Sequence, residues 1–188
     1  MATATERRSA SSLSALLAGL QAGMLGVWWM LAWMGANAAW QRRSFWTPEN
    51  LMASVFYGDA AILPGFAAST ISGLALYVLL YSLLGAGFAM AVAGRLPRLR
   101  LALASVAFAL CWYYAAFHLL AKAVSPLILL LAPERSTVFG HVIYGALLAR
   151  FPVFLPHAAD PPAASVPEHE DPVSEPPVPE AGIDAQEQ

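Results

Sequence analysis

From Leu13 to Ala39 the chain carries no charged residue, and about 20 apolar residues suffice to cross the roughly 30 Å of a bilayer's hydrocarbon core. Two further stretches share this property, Phe66 to Gly94 and Leu101 to Ala121. A water-exposed fold has no interior deep enough for three such segments, so the expected class is all-α, a polytopic membrane helical bundle. Composition agrees: the chain is 59% hydrophobic and 12% charged, against about 45–50% and about 25% for an ordinary soluble domain.

Arg7 and Arg8 precede the first apolar run, as in a secretory signal, but a signal core is about 7–15 residues long. The longer run predicts a retained transmembrane helix over 13–39, with residues 1–12 as a cytoplasmic tail. Trp28, Trp29, Trp33 and Trp40 gather toward its far end, where the headgroup region favours amphipathic rings.

Trp46-Thr47-Pro48-Glu49-Asn50 then has the form of a helix start, with Thr47 as N-cap, Pro48 at the first helical position and Glu49 near the positive end of the helix dipole. Gly58, Asp59 and Pro64-Gly65 break this helix early, so it is expected to be interfacial or re-entrant. Ser69, Gly73, Gly85, Gly87 and Ala91 make the span over 66–94 suitable for close packing in lipid, and Ala107, Cys111 and Ala115 repeat that pattern in the span over 101–121.

Ser125 to Pro133 is too short to cross and is expected to form a hairpin or half-helix. A fourth span is expected over 136–155, making 13–155 the transmembrane domain. Residues 156–188 hold Pro, Ala and Glu without hydrophobic period and are expected to be a disordered acidic tail.

Placing Arg7, Arg8, Arg95, Arg98, Arg100 and Arg150 inside, against Arg42, Arg43, Lys122 and Arg135 outside, satisfies the positive-inside rule and predicts cytoplasmic N- and C-termini. No basic stripe suits nucleic acid. The single cysteine, Cys111, has no partner for an internal disulfide or a Cys-based metal site.

Ionisable and polar groups at membrane depth are costly and are candidate functional residues. They are Gln21 in the first span, Asp59 between breakers, His118 near the end of the third span and His141, with Tyr144, early in the fourth. His118 and His141 fall at similar depth, where two neutral imidazoles could hold a b-type haem or a metal. Alternatively, His141 with Tyr144, Gly140 and Gly145 hydrogen-bonds across a close helix contact. His118 with Trp112, Tyr113 and Tyr114 also fits an interfacial belt.

The segments Phe45-Trp46-Thr47-Pro48-Glu49-Asn50-Leu51-Met52-Ala53, Tyr81-Ser82-Leu83-Leu84-Gly85-Ala86-Gly87-Phe88 and Gly140-His141-Val142-Ile143-Tyr144-Gly145 resemble a group of small bacterial membrane proteins of unknown function. The resemblance implies a four-helix inner-membrane protein and carries over no catalytic residue. No nucleophile–base spacing, phosphate-cradling loop or paired carboxylates lies within the bundle. The expected function is therefore non-enzymatic, through the lipid bilayer and a homo-oligomeric or membrane protein partner, with no cofactor. Two alternatives are a redox protein using His118 and His141, and a small transporter using Gln21, Asp59 and the breaks at Pro64 and Pro126.

Overall fold

A computed structural model describes residues 4–155 apart from 63, 93 and 94, with side chains from residue 12 onward. The expected acidic tail, 156–188, lies outside the described residues. So do residues 1–3 of the expected N-terminal tail, while from Ala4 the backbone is already helical.

The described residues are helical, with no strand. The long helices are α1 (Ala4–Trp40), α3 (Ala68–Val92) and α4 (Arg98–Tyr114); α4 runs on through a π-helical stretch, Ala115–Leu120, into α5 (Ala121–Val124). Between the first two lies α2 (Thr47–Tyr57), and after α5 come α6 (Pro126–Leu131) and α7 (Glu134–Leu148). Three helical segments are long and apolar enough to cross a membrane: Ser12–Trp40, Ala68–Val92 and Arg98–Val124.

The expected fourth span over 136–155 does not have that form. At 15 residues, α7 is only about 22 Å long at 1.5 Å per residue, short of a bilayer core. Pro152, which cannot continue an α-helix, sits in a separate 3₁₀ turn, Phe151–Phe154.

Chain direction reverses after α1 through a left-handed residue. Arg42 has φ +58°, its own N–H bonds Ala39 O, and Arg43 N–H reaches back to Ala38 O at 2.9 Å, a Schellman-type closure usually built on glycine. Thr47 does not cap α2: its hydroxyl donates to Ser44 O at 2.7 Å, and Trp46 holds the N-cap position without a side-chain bond. What anchors α2 is Asn50. Its amide donates to Gly65 O at 3.0 Å and its side-chain oxygen accepts from Thr70 Oγ1 at 2.6 Å, tying α2 to the start of α3.

Helices in lipid gain little from burying apolar surface against one another, so association rests on close van der Waals fit. In this bundle α1 lies between α3 and α7, and α7 lies between α1 and α4. The α1–α3 contact is a glycine crossing: a Cβ on Gly19 would stand 2.5 Å from Gly85 O, and one on Gly23 2.6 Å from Tyr81 O. Gly145 sets α7 against α4, where a Cβ would come within 2.7 Å of Val106 Cα. The contact face of α4 is therefore Ser105 and Ala109, both fully buried. Ala107 and Cys111, expected to form that face, are exposed.

Candidate functional site

Because α1 and α7 form the middle of the bundle, α3 and α4 flank it on either side and meet only marginally. Toward the α3 C-terminus the gap between them is closed by aromatic contacts, Phe88 to Phe108 at 5.1 Å and Phe88 to Phe151 at 6.4 Å between ring centroids. Toward the other end it stays open as a crevice of about 200 Å³.

One wall is Leu76, Tyr77, Leu80 and Tyr81 of α3, and the facing wall is Trp112, Tyr113 and the π-helical stretch with Ala116, Phe117 and Leu120. Met34 and His141 line it from α1 and α7; Leu51 and Met52 of α2, with Ile128 of α6, cover it. That cover is pinned by a hydrogen bond between the Ser54 and Ser125 hydroxyls at 2.7 Å. Arg43, the one charged lining residue, donates through Nη1 to Leu131 O at 2.9 Å.

π-Helical turns recur at functional sites because the extra residue per turn re-aims side chains. Here the turn is continuous with the crevice wall. Phe117 stacks on Tyr113, with centroids 5.4 Å apart and planes 26° apart.

A buried polar trio borders the crevice, with Tyr81 and His141 lining it and Tyr144 packed behind them. His141 Nδ1 sits 2.8 Å from Thr137 O; a carbonyl can only accept, so Nδ1 carries the proton and Nε2 is left as an acceptor. The Tyr81 hydroxyl donates to Nε2 at 2.6 Å. Tyr144 donates its own hydroxyl to Tyr81 O at 2.7 Å, and the two phenol rings meet edge to face at 4.9 Å. Each such bond contributes about 0.6–2 kcal/mol in a membrane bundle, and together they lock the rotation of α3 against α7.

This geometry separates the two histidines. His118 is exposed and lies 4.6 Å from the Tyr114 ring, whereas His141 is buried with both ring nitrogens engaged. The Tyr113 ring contacts both, at 6.1 Å from His118 and 5.2 Å from His141. Gln21 is exposed on the outer side of α1 and Asp59 is exposed in the 3₁₀ turn Gly58–Ala61. Neither lines the crevice. Among the described residues no three His, Cys, Asp or Glu side chains gather as a metal site would require.

Several polar groups beside the crevice have a setting that their sequence does not announce. Trp112 Nε1, Tyr113 Oη and Ser136 Oγ are buried without a hydrogen-bond partner, and all three belong to lining residues. Trp112 Nε1 approaches the Tyr81 side chain, and Tyr113 Oη the Glu134 carboxylate, without reaching bonding geometry. An aromatic pair at a helix end reads from sequence as a headgroup belt, and only the packing turns it inward.

Glu49, read as a helix-dipole residue, is 2% exposed with Oε2 unpartnered. It lies on α2, outside the spanning segments. Burial pushes its carboxyl up to about 7, against a smaller opposing effect of a hydrogen bond from its own backbone.

Comparison with protein-family models, with curated proteins and with solved structures returns no match.

Proposed function

We propose that this chain is a multi-pass protein of a bacterial inner membrane that binds a small molecule drawn from the bilayer in the crevice between α3 and α4, without carrying out chemistry on it. One observation carries the reading: an apolar crevice of about 200 Å³ lies between helices, walled by aromatic rings of α3 and of the segment from Trp112 to Phe117. Ligand sites are mostly apolar clefts of this kind, and in helical bundles they lie between helices.

In this reading α7 and the 3₁₀ turn Phe151–Phe154 together complete a fourth crossing. The turn's packing against α1 supports it, as does the seclusion of α7 between α1 and α4, which relaxes the demand for a fully lipid-facing length. Both termini are then cytoplasmic, as the arginine distribution favours. The exposed apolar face of α1, with Leu17, Met24 and Trp28 around Gln21, meets lipid or a second membrane protein.

The histidine separation described above lends no support to a bis-histidine haem. Gln21 and Asp59 are exposed and stand outside this crevice.

Purification in mild detergent, denaturing extraction and mass spectrometry of the released small molecules test the proposal. Wild-type protein is expected to release a bilayer-soluble compound near stoichiometrically, and Leu80→Trp, which fills the crevice, to release at least about tenfold less. Equal recovery from both would refute it.

A further inference from the structure

Resting on the ligand-binding reading above, we propose that α6 is a hinged strap that closes the crevice and swings aside to admit the small molecule. Coverage comes first. Ile128 of α6 lines the crevice, as do Val124 just before the helix and Ala132 and Pro133 just after it. When α6 moves, that part of the wall moves with it.

Both ends of α6 have the backbone of a joint. Ser125 and Ala132 each precede a proline, which disfavours helical backbone at the preceding residue, and both are extended, at φ −150°, ψ 98° and φ −79°, ψ 129°. Pro126 has no N–H with which to continue the hydrogen-bond ladder of α5. Lid motions are absorbed at a few element-terminal residues of this kind.

Little holds the strap between its joints. None of its six residues is buried, and Leu130 is 78% exposed. Segments that bury so little apolar surface open at low free energy. The other part of the cover, α2, is fixed to α3 through Asn50 and Thr70, so α6 is the part free to move.

A side-chain latch secures each end. Arg43 Nη1 donates to Leu131 O at 2.9 Å at one end, and the Ser54 and Ser125 hydroxyls meet at 2.7 Å at the other. The sense of the second bond is fixed. Ser54 gives its one proton to Leu51 O at 2.6 Å, a carbonyl that only accepts, so it is Ser125 that donates to Ser54 Oγ. Removing the Ser125 hydroxyl therefore unlatches α6 while Ser54 keeps its bond within α2.

The test uses full-length protein in mild detergent, with Cys111→Ala removing the single native thiol, and tert-butyl hydroperoxide as the probe of access. This oxidant converts reachable methionine to its sulfoxide, followed residue by residue by mass spectrometry. Met34 lines the crevice and is 6% exposed, whereas Met30, on the same helix, is fully buried outside it. Ser54→Cys combined with Ser125→Cys, oxidised to a disulfide, puts a covalent bond where the hydroxyls meet, and is expected to slow Met34 oxidation at least about tenfold relative to the parent. Ser125→Ala is expected to speed it about fivefold, the size of one hydrogen bond, and adding Arg43→Gln to speed it further. Met30 should oxidise at the same low rate in every variant.

Equal Met34 rates in the locked and parent proteins overturn the strap. A rise at Met30 matching that at Met34 in Ser125→Ala overturns it too, since the whole bundle has then loosened. Neither readout involves a ligand, so a strap that fails leaves the extraction difference between wild type and Leu80→Trp standing. If Met34 responds to the lock but extraction shows no such difference, the strap has nothing to admit and it is the binding reading that fails.

Discussion

Gly85→Leu is expected to prevent the bundle from folding stably, lowering its stability by about 3 kcal/mol or more. Overpacking a tight contact commonly costs about 1–3 kcal/mol where flexible side chains can give way. Here a Cβ on Gly85 meets backbone on the opposing helix, Gly19 O and, at 2.8 Å, Gly23 Cα. Backbone cannot swing aside, so α1 and α3 must separate. The Tyr81–His141 and Tyr144–Tyr81 hydrogen bonds, which join α3 to α7 across the same region, are then strained as well. The control lies two residues away: Gly87 is on the same helix but has open space where its Cβ would be, so Gly87→Leu should change stability by less than about 0.5 kcal/mol. Unfolding in mixed micelles against increasing denaturing detergent measures both. Similar midpoints for the two variants would remove the glycine crossing from the account.

Glu49 is expected to make the protein lose stability as pH rises. Its carboxyl is pushed from 4.5 to about 7 in the folded chain, first by burial, so between those values the folded state holds a proton that the unfolded state has released. Stability is therefore fullest below about pH 4.5, falls through the interval and levels off above about 7, where both states are ionised. The interval corresponds to a loss of up to about 3 kcal/mol. Glu49→Gln keeps the shape and removes the titration. The variant should match the wild type near pH 5, exceed it near pH 8 and show no slope between. Thermal unfolding of both proteins at the two pH values decides the matter, and a wild type that gains stability on going to pH 8 contradicts the buried, unpartnered carboxyl.

How far the sequence leads differs between the frame and the site. Length of uncharged run located closely the three helices long and apolar enough to cross a membrane: 13–39 against Ser12–Trp40, 66–94 against Ala68–Val92, and 101–121 against Arg98–Val124. That signal is local, because lipid asks each segment separately whether it is long and oily enough. The fourth segment is less legible because Gly140 to Leu148 is apolar for a second reason, burial between α1 and α4, and the helix stops before Pro152, short of the length that marks the other three.

The site was legible only in outline. Gly140-His141-Val142-Ile143-Tyr144-Gly145 was visible as a packed, polar segment, but its partner Tyr81 was not, since α3 is apolar on every side and offers no phase from which to read its rotation. The same gap hid Gly19 and Gly23, which meet Gly85 only because of that rotation. Glu49 follows Pro48 in a helix start that looks solvent-facing. Its burial depends on α2 folding down over α3 through Asn50 and Thr70, a contact no local pattern encodes.

Washing membranes from expressing cells with alkaline carbonate tests most directly whether the chain resides within a bilayer. The protein should stay with the membrane pellet and come into solution only when detergent is added. Recovery of folded protein in the aqueous wash, without detergent, would contradict it.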